Sequence, residues 1–479
     1  MEFKNIGPIK QGSVNLADMT IFFGKNGTGK TYISYVIFGV LSFLSENTLK
    51  FFTDEEIQDV ISNNKIILDY NEITERAKRT ILQNVNSNMP NILKKSFNRS
   101  NKDISKFEVV FTDEDFEQLQ YFRSKEKLDR YFKLRAYSQY IIKGIKGISE
   151  EKVYNIIINF EENEGKIGIS LVENNSKKDV YNENFIEPIS TIQGKEELLL
   201  RLNELLSSTL RNSRNVVYIP AERIGINVFL KEINKNRLNA YDKIVENSRD
   251  SGYINNKLDV YPSPISSYLS NLNRWKEFYE LFFDKDYSLA SRELEDTKAI
   301  LTSKLLKGKF TIDSEKDEIK YISNNTQDEL PLQVSSSSIK SLVGLELYLQ
   351  TTARVGDYLI IDEPELNLHP ESQKNLAIVL NGLVKIGFKV IISTHSDYLI
   401  RELVNIELEK EIAAKMNSTK FSGNILSYDF IDGSINQISN LLKEQTIGNF
   451  DKVTDDIEDR YYDLMDRYQE LLEEQKNDF

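Results

Sequence analysis

Residues 21–31 combine the residue types that hold a triphosphate. They read Ile-Phe-Phe-Gly-Lys-Asn-Gly-Thr-Gly-Lys-Thr, which contains the pattern G-x-x-x-x-G-K-[ST] between an apolar stretch and a helical pattern over 32–43. Glycines let successive backbone N–H groups point at phosphates, Lys30 can reach the β and γ oxygens, and Thr31 can offer its hydroxyl to Mg²⁺. The positive end of the following helix adds to the attraction. The pattern predicts a nucleoside triphosphate site formed by Asn26, Gly27, Thr28, Gly29, Lys30 and Thr31.

Two adjacent carboxylates end a second apolar stretch far downstream. Residues 357–364 read Asp-Tyr-Leu-Ile-Ile-Asp-Glu-Pro, a short buried-strand pattern. If this strand lies beside the strand before the phosphate loop, Asp362 can enter the Mg²⁺ shell and Glu363 can polarise the attacking water. An acidic turn exposed to solvent is the alternative, and the upstream loop argues against it.

The chain has only two histidines, and both follow apolar patterns. His395 comes directly after the strand-like residues 389–394, and ligands of parallel sheets bind at the carboxyl ends of strands. There it can hydrogen-bond the γ-phosphate and sense its presence. His369, in Leu-Asn-Leu-His-Pro, is expected to shape a loop at a subunit contact and not to perform chemistry.

Four serines at 335–338 precede the helical pattern of 343–349. Serines before a helix are first of all N-caps. The same exposed N–H groups, hydroxyls and dipole can also bind a phosphate that another molecule presents. Residue types alone favour neither reading over the other.

The composition is that of a globular protein of two or three domains. The 479 residues carry a formal charge of −13, no cysteine and no apolar run long enough to cross a bilayer. The charge argues against nucleic-acid affinity over the whole surface and leaves room for a local basic site. We expect a soluble, cytoplasmic protein without a membrane partner.

The order of these motifs resembles the head domain of ABC-type ATPases. Phosphate loop, serine-rich helix start, Asp-Glu-Pro, His-Pro and strand-Thr-His-Ser follow one another as in that class. Residues 361–370 (Ile-Asp-Glu-Pro-Glu-Leu-Asn-Leu-His-Pro) and 393–397 (Ser-Thr-His-Ser-Asp) are similar to RecF-like and OLD-like AAA-family ATPases, many of which serve in bacterial anti-phage defence. The resemblance covers about residues 1–45 and 210–405.

This resemblance implies an α/β fold: a P-loop NTPase of the ABC-ATPase head type, with a mixed sheet, flanking helices, an antiparallel β subdomain and helical insertions. It also implies ATP and Mg²⁺ as cofactors and a head-to-head homodimer or higher oligomer. Serines of one subunit would cap ATP bound by the other, with Ser336, Ser337 and Ser338 as the contacting residues. Ser338 and Lys340 depart from the usual signature, and the segment 218–223 (Tyr-Ile-Pro-Ala-Glu-Arg) resembles the glutamine-loop region better than Gln193 does. That segment places Glu222 and Arg223 at the nucleotide edge.

The pattern along the chain predicts an ATPase head that is interrupted by insertions. We expect a head N-lobe at 1–45, a basic and mainly helical insertion at 46–147 with one strand near 107–111, and a β subdomain with a core strand at 148–225. A hairpin at 153–160 and 166–172 is expected in the head's antiparallel subsheet. A second helical insertion, a lid or arm with Trp275, is expected at 226–308. The head C-lobe spans 309–445 and an acidic amphipathic helix 446–479.

The first insertion also predicts a local nucleic-acid site. Basic residues among aromatics suit phosphate contacts and base stacking, although a solvated helix face is the commoner explanation. The basic residues are Arg76, Lys78, Arg79, Lys94, Lys95, Arg99, Lys102, Arg123, Lys125, Lys127, Arg130, Lys133 and Arg135, and the aromatics are Tyr121, Phe122, Tyr131 and Phe132.

The last segment has one apolar stripe, formed by Ile457, Tyr461, Leu464, Tyr468 and Leu471. Such a stripe needs a surface to pack on, either the head itself or a partner chain.

A nuclease site of its own is not expected in this chain. OLD-like nucleases carry a Toprim domain after the histidine strand, and the residues after His395 are too few for one. We therefore expect an ATP hydrolase that controls a separate effector protein in an anti-phage system. A RecF-like DNA-repair ATPase and an ATP-held assembly scaffold with little turnover are the alternatives.

Overall fold

The chain is described here from a computed structural model that covers residues 1–46, 52–100, 102–124, 128, 138–143, 153–161, 166–174, 190–212, 214–237, 261–282, 292–313, 318–417, 424–438 and 459–465. It forms two compact units. The larger unit comprises the described parts of Glu2–Gly39, Leu93–Glu108 and Val216–Phe479, and the smaller one comprises Met1 and the described parts of Val40–Ile92 and Val109–Asn215.

The strands in chain order are β1 (Glu2–Ile6), β2 (Ile9–Ser13), β3 (Met19–Phe23), β4 (Lys65–Asp69), β5 (Glu108–Val110), β6 (Ser138–Lys143), β7 (Val153–Glu161), β8 (Lys166–Asn174), β9 (Ser190–Gln193), β10 (Val216–Ile219), β11 (Gly308–Asp313), β12 (Glu318–Ser323), β13 (Glu329–Pro331), β14 (Tyr358–Asp362), β15 (Lys389–Ser393), β16 (Ile425–Ile431) and β17 (Ser434–Ile438). The α-helices are α1 (Lys30–Glu46), α2 (Asp54–Asn63), α3 (Tyr70–Phe97), α4 (Asp113–Gln118), α5 (Gly194–Leu210), α6 (Arg223–Val228), α7 (Ser263–Phe282), α8 (Arg292–Ile300), α9 (Ser337–Thr351), α10 (Pro370–Lys385) and α11 (Asp397–Asn417). A π-helical turn, Leu301–Leu306, follows α8.

One mixed sheet organises the larger unit. Eight strands that lie wholly in this unit are ordered β10, β14, β15, β3, β16, β17, β2 and β1. Neighbours from β10 to β16 are parallel, whereas β16 with β17 and β1 with β2 are antiparallel. Strands β3 and β14 are buried at every residue, as expected for the middle of a parallel sheet that is covered on both faces. The predicted α/β fold with a mixed sheet is therefore confirmed, and the strand predicted near 216–219 is β10.

The second predicted insertion, 226–308, differs from the prediction of a separate lid or arm. Its described helices lie in the larger unit, and α7 packs against both α9 and β10. Trp275 is fully buried there, and its indole N–H donates to Thr352 Oγ1 at 2.8 Å. The helical pattern predicted for this segment is confirmed by α7. Its apolar face packs into the core of the larger unit, a long-range contact that helical periodicity does not specify.

The smaller unit contains a five-stranded sheet in the order β4, β8, β7, β6 and β9. Strands β7 and β8 pair antiparallel, which confirms the predicted hairpin. The hairpin belongs to this sheet and not to the larger sheet, whose antiparallel pairs are β1 with β2 and β16 with β17. The cause is β4, which lies in a stretch predicted as mainly helical. Its short apolar run pairs with β8, with Ile66 opposite Ile169, and closes a separate sheet.

Helices α2, α3 and α4 account for much of the described part of the predicted helical insertion, and β5 matches the strand expected near 107–111. Among the described residues, no helix is both long enough and apolar enough to span a bilayer.

Candidate functional site

The phosphate loop connects β3, buried in the middle of the larger sheet, to the first turn of α1. The loop has positive φ angles at Gly24, Gly27 and Gly29. Residues with a side chain rarely adopt this backbone conformation. At Gly24 a side chain would also meet the backbone, because a Cβ would lie 2.8 Å from the carbonyl oxygen of Phe430. The middle of the loop is exposed at Lys25, Asn26 and Gly27, and helix α1 starts at Lys30. The loop thus presents a helix N-terminus and exposed backbone to solvent, the arrangement that binds anionic groups.

Lys30 lies inside this loop. Its Nζ donates to the carbonyl oxygens of Gly24 and Lys25, each at 2.9 Å. Burial lowers the pKa of Lys30 to about 8, and the nearby carboxylates of Asp362 and Glu363 oppose that shift. An anionic phosphate at the loop would favour the charged ammonium in the same way.

Asp362 joins the loop to two other strands. Thr31 Oγ1 donates to Asp362 Oδ2 at 2.9 Å, and the Ser393 hydroxyl donates to Asp362 Oδ1. Ser393 is the register partner of Asp362 in the parallel pair of β14 and β15. Burial raises the pKa of Asp362, and the hydrogen bonds from Ser393 and Thr31 counteract the shift. Residues far apart in the sequence thus meet at the carboxyl edge of the sheet.

This donor set fits Mg²⁺. A hydroxyl and a carboxylate that already share a hydrogen bond are two adjacent oxygen ligands, and Mg²⁺ in triphosphate sites is usually held by one or two protein oxygens plus phosphates and water. Among the described residues no group of three or more His, Cys, Asp or Glu side chains is placed to hold a metal ion. Thr31 and Asp362 would therefore hold the ion together with substrate phosphate and water.

Glu363 and His395 face each other beside this pair. His395 Nε2 lies 3.8 Å from Glu363 Oε1, and both side chains are partly exposed. Burial, together with the charge of Lys30, lowers the pKa of His395 to about 4, so the imidazole is neutral near pH 7. Burial and the charge of Asp362 raise the pKa of Glu363. A neutral ring can donate one N–H, and a carboxylate with a raised pKa is a better proton acceptor.

The backbone around Glu363 is held in an uncommon conformation. Glu363 has φ 47°, and its N–H donates to the carbonyl oxygen of Ser393 at 2.9 Å. The backbone N–H of His395 donates to Glu365 Oε1 at 2.7 Å. Sequence reasoning gave no role to Ser393 or Glu365. The signal for Ser393 was present, since a serine ends the strand that leads to His395, but its pairing with Asp362 depends on the strand register.

Arg223 has a different role from the predicted contact at the nucleotide edge. It is 1% exposed, and all five of its N–H donors are directed to backbone carbonyl oxygens at 2.7–3.3 Å. The acceptors are Pro220, Ser341, Asp362, Glu363 and Pro364. No donor remains for a phosphate, so Arg223 instead fixes the turn after β14 and ties it to α9. Glu222, by contrast, is exposed, and its charge is one of the causes of the raised pKa of Glu363.

The predicted serine cluster forms the start of α9. Ser336 is the N-cap and accepts from Ile339 N at 3.3 Å, and its hydroxyl lies 3.2 Å from that of Ser338. Ser336 and Ser337 are exposed, and Ser338 is half-buried. Within the described residues these serines are not joined to the phosphate loop of the same chain. Their contact with phosphate stays a prediction, and the cap is the role that the structure describes. His369 is likewise an N-cap, because its Nδ1 accepts from Glu371 N at 3.3 Å at the start of α10.

The basic insertion is partly neutralised. Arg76 forms an ion pair with Glu56 at 2.8 Å, and Lys78 forms one with Glu117 at 2.5 Å. The Tyr121 ring is buried and unavailable for base stacking. Lys94, Lys95, Arg99 and Lys102 are exposed in the larger unit. Five of the predicted basic residues and two aromatics lie outside the described residues: Lys125, Lys127, Arg130, Lys133, Arg135, Tyr131 and Phe132.

Only residues 459–465 of the acidic tail are described. They are helical, and Tyr461 and Leu464 are 57% and 52% exposed. Ile457, Tyr468 and Leu471 lie outside the described residues. The packing of the apolar stripe on the head or on a partner chain therefore stays a prediction.

The fold and the site define a P-loop nucleoside triphosphatase. The chain belongs to the family of AAA ATPase domains, whose model matches residues 1–400. A comparison with curated proteins gives no match. Among solved structures, the chain is similar to the Smc head domain of Pyrococcus furiosus bound to the C-terminal domain of ScpA, with 12% identity over 95% of this chain and 98% of that one and a TM-score of 0.33. It is also similar to the SMC head domain of Thermotoga maritima, with 10% identity over 91% and 96% and a TM-score of 0.29.

Proposed function

We propose that this chain binds and hydrolyses ATP with Mg²⁺ and acts as a nucleotide-dependent sensor or scaffold that controls a separate effector in anti-phage defence. The observation that carries the ATPase part is the 2.9 Å hydrogen bond between Thr31 and Asp362. It joins the phosphate loop to the acidic strand at the same sheet edge, next to Glu363 and His395. The defence role rests on the order of motifs and on their similarity to OLD-like and RecF-like ATPases.

Each residue of the site has a distinct task in this proposal. Lys30 leaves the loop carbonyls and pairs with the β and γ oxygens of ATP. Mg²⁺, when bound by Thr31 and Asp362, supplies charge stabilisation for the transferred phosphoryl group. Glu363 orients the attacking water and accepts its proton. Neutral His395 donates a hydrogen bond toward the γ-phosphate and can report its loss.

The proposed assembly is a head-to-head dimer in which the exposed start of α9 in one subunit caps ATP in the other. The exposure of Ser336 and Ser337 supports this arrangement, as does Val334 just before them, which is 69% exposed. ATP occupancy would then control subunit association, and association would control the effector.

Steady-state hydrolysis tests the enzymatic part. Wild-type chain with Mg²⁺ is expected to release phosphate from ATP, whereas Lys30→Ala and Thr31→Ala lose activity by about 100-fold or more. Glu409→Gln, an exposed glutamate of α11, is the control and keeps full activity. Equal rates in the wild type and Lys30→Ala would contradict the proposal.

Plaque counts test the defence part. Cells that express the chain with its neighbouring genes are expected to form fewer plaques than cells carrying the Lys30→Ala variant. Equal counts for both, with the ATPase activity intact, would exclude the defence role and leave the enzyme assignment standing.

A RecF-like repair function is the second candidate. Four exposed basic residues of the larger unit could contact the phosphates of DNA: Lys94, Lys95, Arg99 and Lys102. It predicts DNA binding that weakens steeply with added salt and is abolished when these four charges are reversed. Absence of binding at low salt would remove this candidate. A static ATP-held scaffold would instead show the same negligible turnover in the wild type and in Glu363→Gln.

A further inference from the structure

The turn after β14 carries a buried carboxyl group that has no task in the proposed hydrolysis of ATP. The Oε1 atom of Glu365 accepts a hydrogen bond from the backbone N–H of His395 at 2.7 Å, and its Oε2 atom is shielded from solvent. Burial is the main cause of the raised pKa of Glu365, and the hydrogen bond from His395 is the largest effect that opposes the rise. Burying a carboxyl group is costly, so the groups that it bonds indicate what the side chain does.

The loop of residues 394–396 connects β15 to α11 and carries His395. The N–H of Thr394 donates to the carbonyl oxygen of Phe22 on β3 at 2.8 Å, and the N–H of Ser396 donates to Thr394 Oγ1 at 3.0 Å. The N–H of His395, between them, donates to Glu365. Each backbone N–H of this loop therefore has an acceptor, and Glu365 is the one side chain outside the loop that serves as such an acceptor.

A second side chain ties the same loop to the segment 365–373. The hydroxyl of Ser396 donates to Gln373 Oε1, and the amide of Gln373 donates to the carbonyl oxygen of Leu368 at 2.8 Å. The ends of the loop thus stay fixed by Phe22 and Gln373 when the carboxyl group of Glu365 is removed. Only the middle of the loop, at His395, depends on Glu365.

The surroundings of the His395 ring depend on the position of its backbone. Its Nε2 atom lies 3.8 Å from Glu363 Oε1. Burial, followed by the charge of Lys30, lowers the pKa of His395 to about 4, and a hydrogen bond with the backbone of Gly24 opposes this shift. A ring that leaves this place gains contact with water, so its pKa returns toward the ordinary value of 6.5.

We propose that Glu365 is a positioning residue for ATP hydrolysis, because its carboxyl oxygen holds the backbone N–H of His395 and thereby keeps the imidazole beside Glu363 and the phosphate loop. The kinetic part of this inference rests on the proposed ATPase function, whereas the position of the ring does not. The task requires an acceptor at the right distance and not a negative charge, since an amide oxygen also accepts an N–H. The charge of Glu363 even makes a second negative charge at Glu365 unfavourable.

Four variants separate the hydrogen bond from the charge and from a general effect on the fold. Glu365→Gln keeps an oxygen acceptor without the charge, and Glu365→Asp keeps the charge but withdraws the carboxyl group by one methylene. Glu365→Met fills similar space without a comparable acceptor. Glu371→Met makes the same substitution at an exposed position in the first turn of α10 and is the control.

Steady-state hydrolysis of ATP measures the effect on the reaction. Glu365→Asp and Glu365→Met should lower kcat by about 10- to 100-fold and leave KM for ATP within about threefold, because the ring is displaced while the phosphate loop is intact. Glu365→Gln and Glu371→Met should stay within about threefold of the wild type in both constants.

NMR titration of the His395 ring in the nucleotide-free chain measures its position without ATP. The midpoint should lie near pH 4 in the wild type and stay there in Glu365→Gln and Glu371→Met. It should rise above about 5 in Glu365→Asp and Glu365→Met as the ring reaches water. A loss of packing elsewhere in the chain would not move this midpoint.

Two kinds of result would overturn the proposal. One is a loss of kcat in Glu365→Gln as large as in Glu365→Met, or full activity in both Glu365→Asp and Glu365→Met. The other is a His395 midpoint that stays near 4 in Glu365→Asp and Glu365→Met. If the wild type releases no phosphate from ATP, the proposed function fails, and the NMR titration alone decides whether Glu365 positions His395.

Discussion

The Arg223→Lys variant tests whether the five hydrogen bonds of the Arg223 side chain, and not only its positive charge, hold the active-site turn in place. Arginine at this position fills five backbone acceptors, three of which belong to Asp362, Glu363 and Pro364. Lysine keeps the positive charge but has three donors where arginine has five. At least two of the five carbonyl groups would therefore lose their hydrogen bond to this side chain, although those of Pro220 and Glu363 each also accept a backbone N–H.

The magnitude follows from those two carbonyl groups. The net loss of one hydrogen bond costs about 0.5–1.5 kcal/mol, so the free energy of unfolding should fall by roughly 1–3 kcal/mol. The left-handed backbone at Glu363 is held in part by this arginine, and its relaxation would move the carboxylate that orients water. A displacement of about 1 Å in such a group costs about 100-fold in rate.

The assay compares urea unfolding with the kinetic constants of ATP hydrolysis. We expect kcat of Arg223→Lys to fall by about 10- to 100-fold, while KM for ATP changes by less than about threefold, because no donor of Arg223 is available to phosphate. Arg274→Lys on α7 is the matched control, since Arg274 bonds to Asn271 in an exposed position. A large rise in KM with unchanged kcat would refute the reasoning. It would indicate that Arg223 contacts the nucleotide, as the sequence predicts.

Three further outcomes follow from the same structure. Because the folded chain keeps the Glu346 proton up to about pH 8, whereas the ordinary pKa of a glutamate is 4.5, the free energy of unfolding should decrease as pH rises between these values. Glu346→Gln should remove that decrease in urea titrations, and an unchanged pH dependence would contradict the burial of this carboxyl. The NMR signal of His395, assigned through His395→Gln, should titrate near pH 4, and a midpoint near 6.5 would show that the ring is solvated. Ser336→Ala should lower stability by about 1 kcal/mol through loss of the cap, whereas Ser337→Ala, at an exposed position, should leave stability within about 0.5 kcal/mol and reduce only hydrolysis. Unchanged hydrolysis in Ser337→Ala would remove that serine from the proposed dimer site.

Short-range patterns carried most of what the sequence could predict. The strand and helix on either side of the phosphate loop, the strand that ends at Asp362 and the strand before His395 each depend on a few adjacent residues. Parallel strands in a sheet align their carboxyl ends, so these motifs could be expected at one edge.

The remainder depended on contacts between distant segments. Trp275 lies on a helix that periodicity predicts, but the core that buries it is formed by residues far away in the sequence. The role of Arg223 depends on carbonyl groups of the turn after β14, and no side-chain motif encodes them. Glu346 reads as an ordinary helical glutamate until α7, α8 and β11 enclose it. In each case the burial partner, and not the local propensity, decides the role.

The nucleotide recovered from Glu363→Gln tests the central claim most directly. The account predicts that this variant, incubated with ATP and Mg²⁺ and passed through a gel-filtration column, elutes at twice the mass of the nucleotide-free chain and carries unhydrolysed ATP. Wild-type chain treated in the same way should carry ADP or no nucleotide. Recovery of ADP from Glu363→Gln at the wild-type rate would show that the site assembled from Lys30, Thr31, Asp362 and Glu363 does not hydrolyse ATP in the manner proposed.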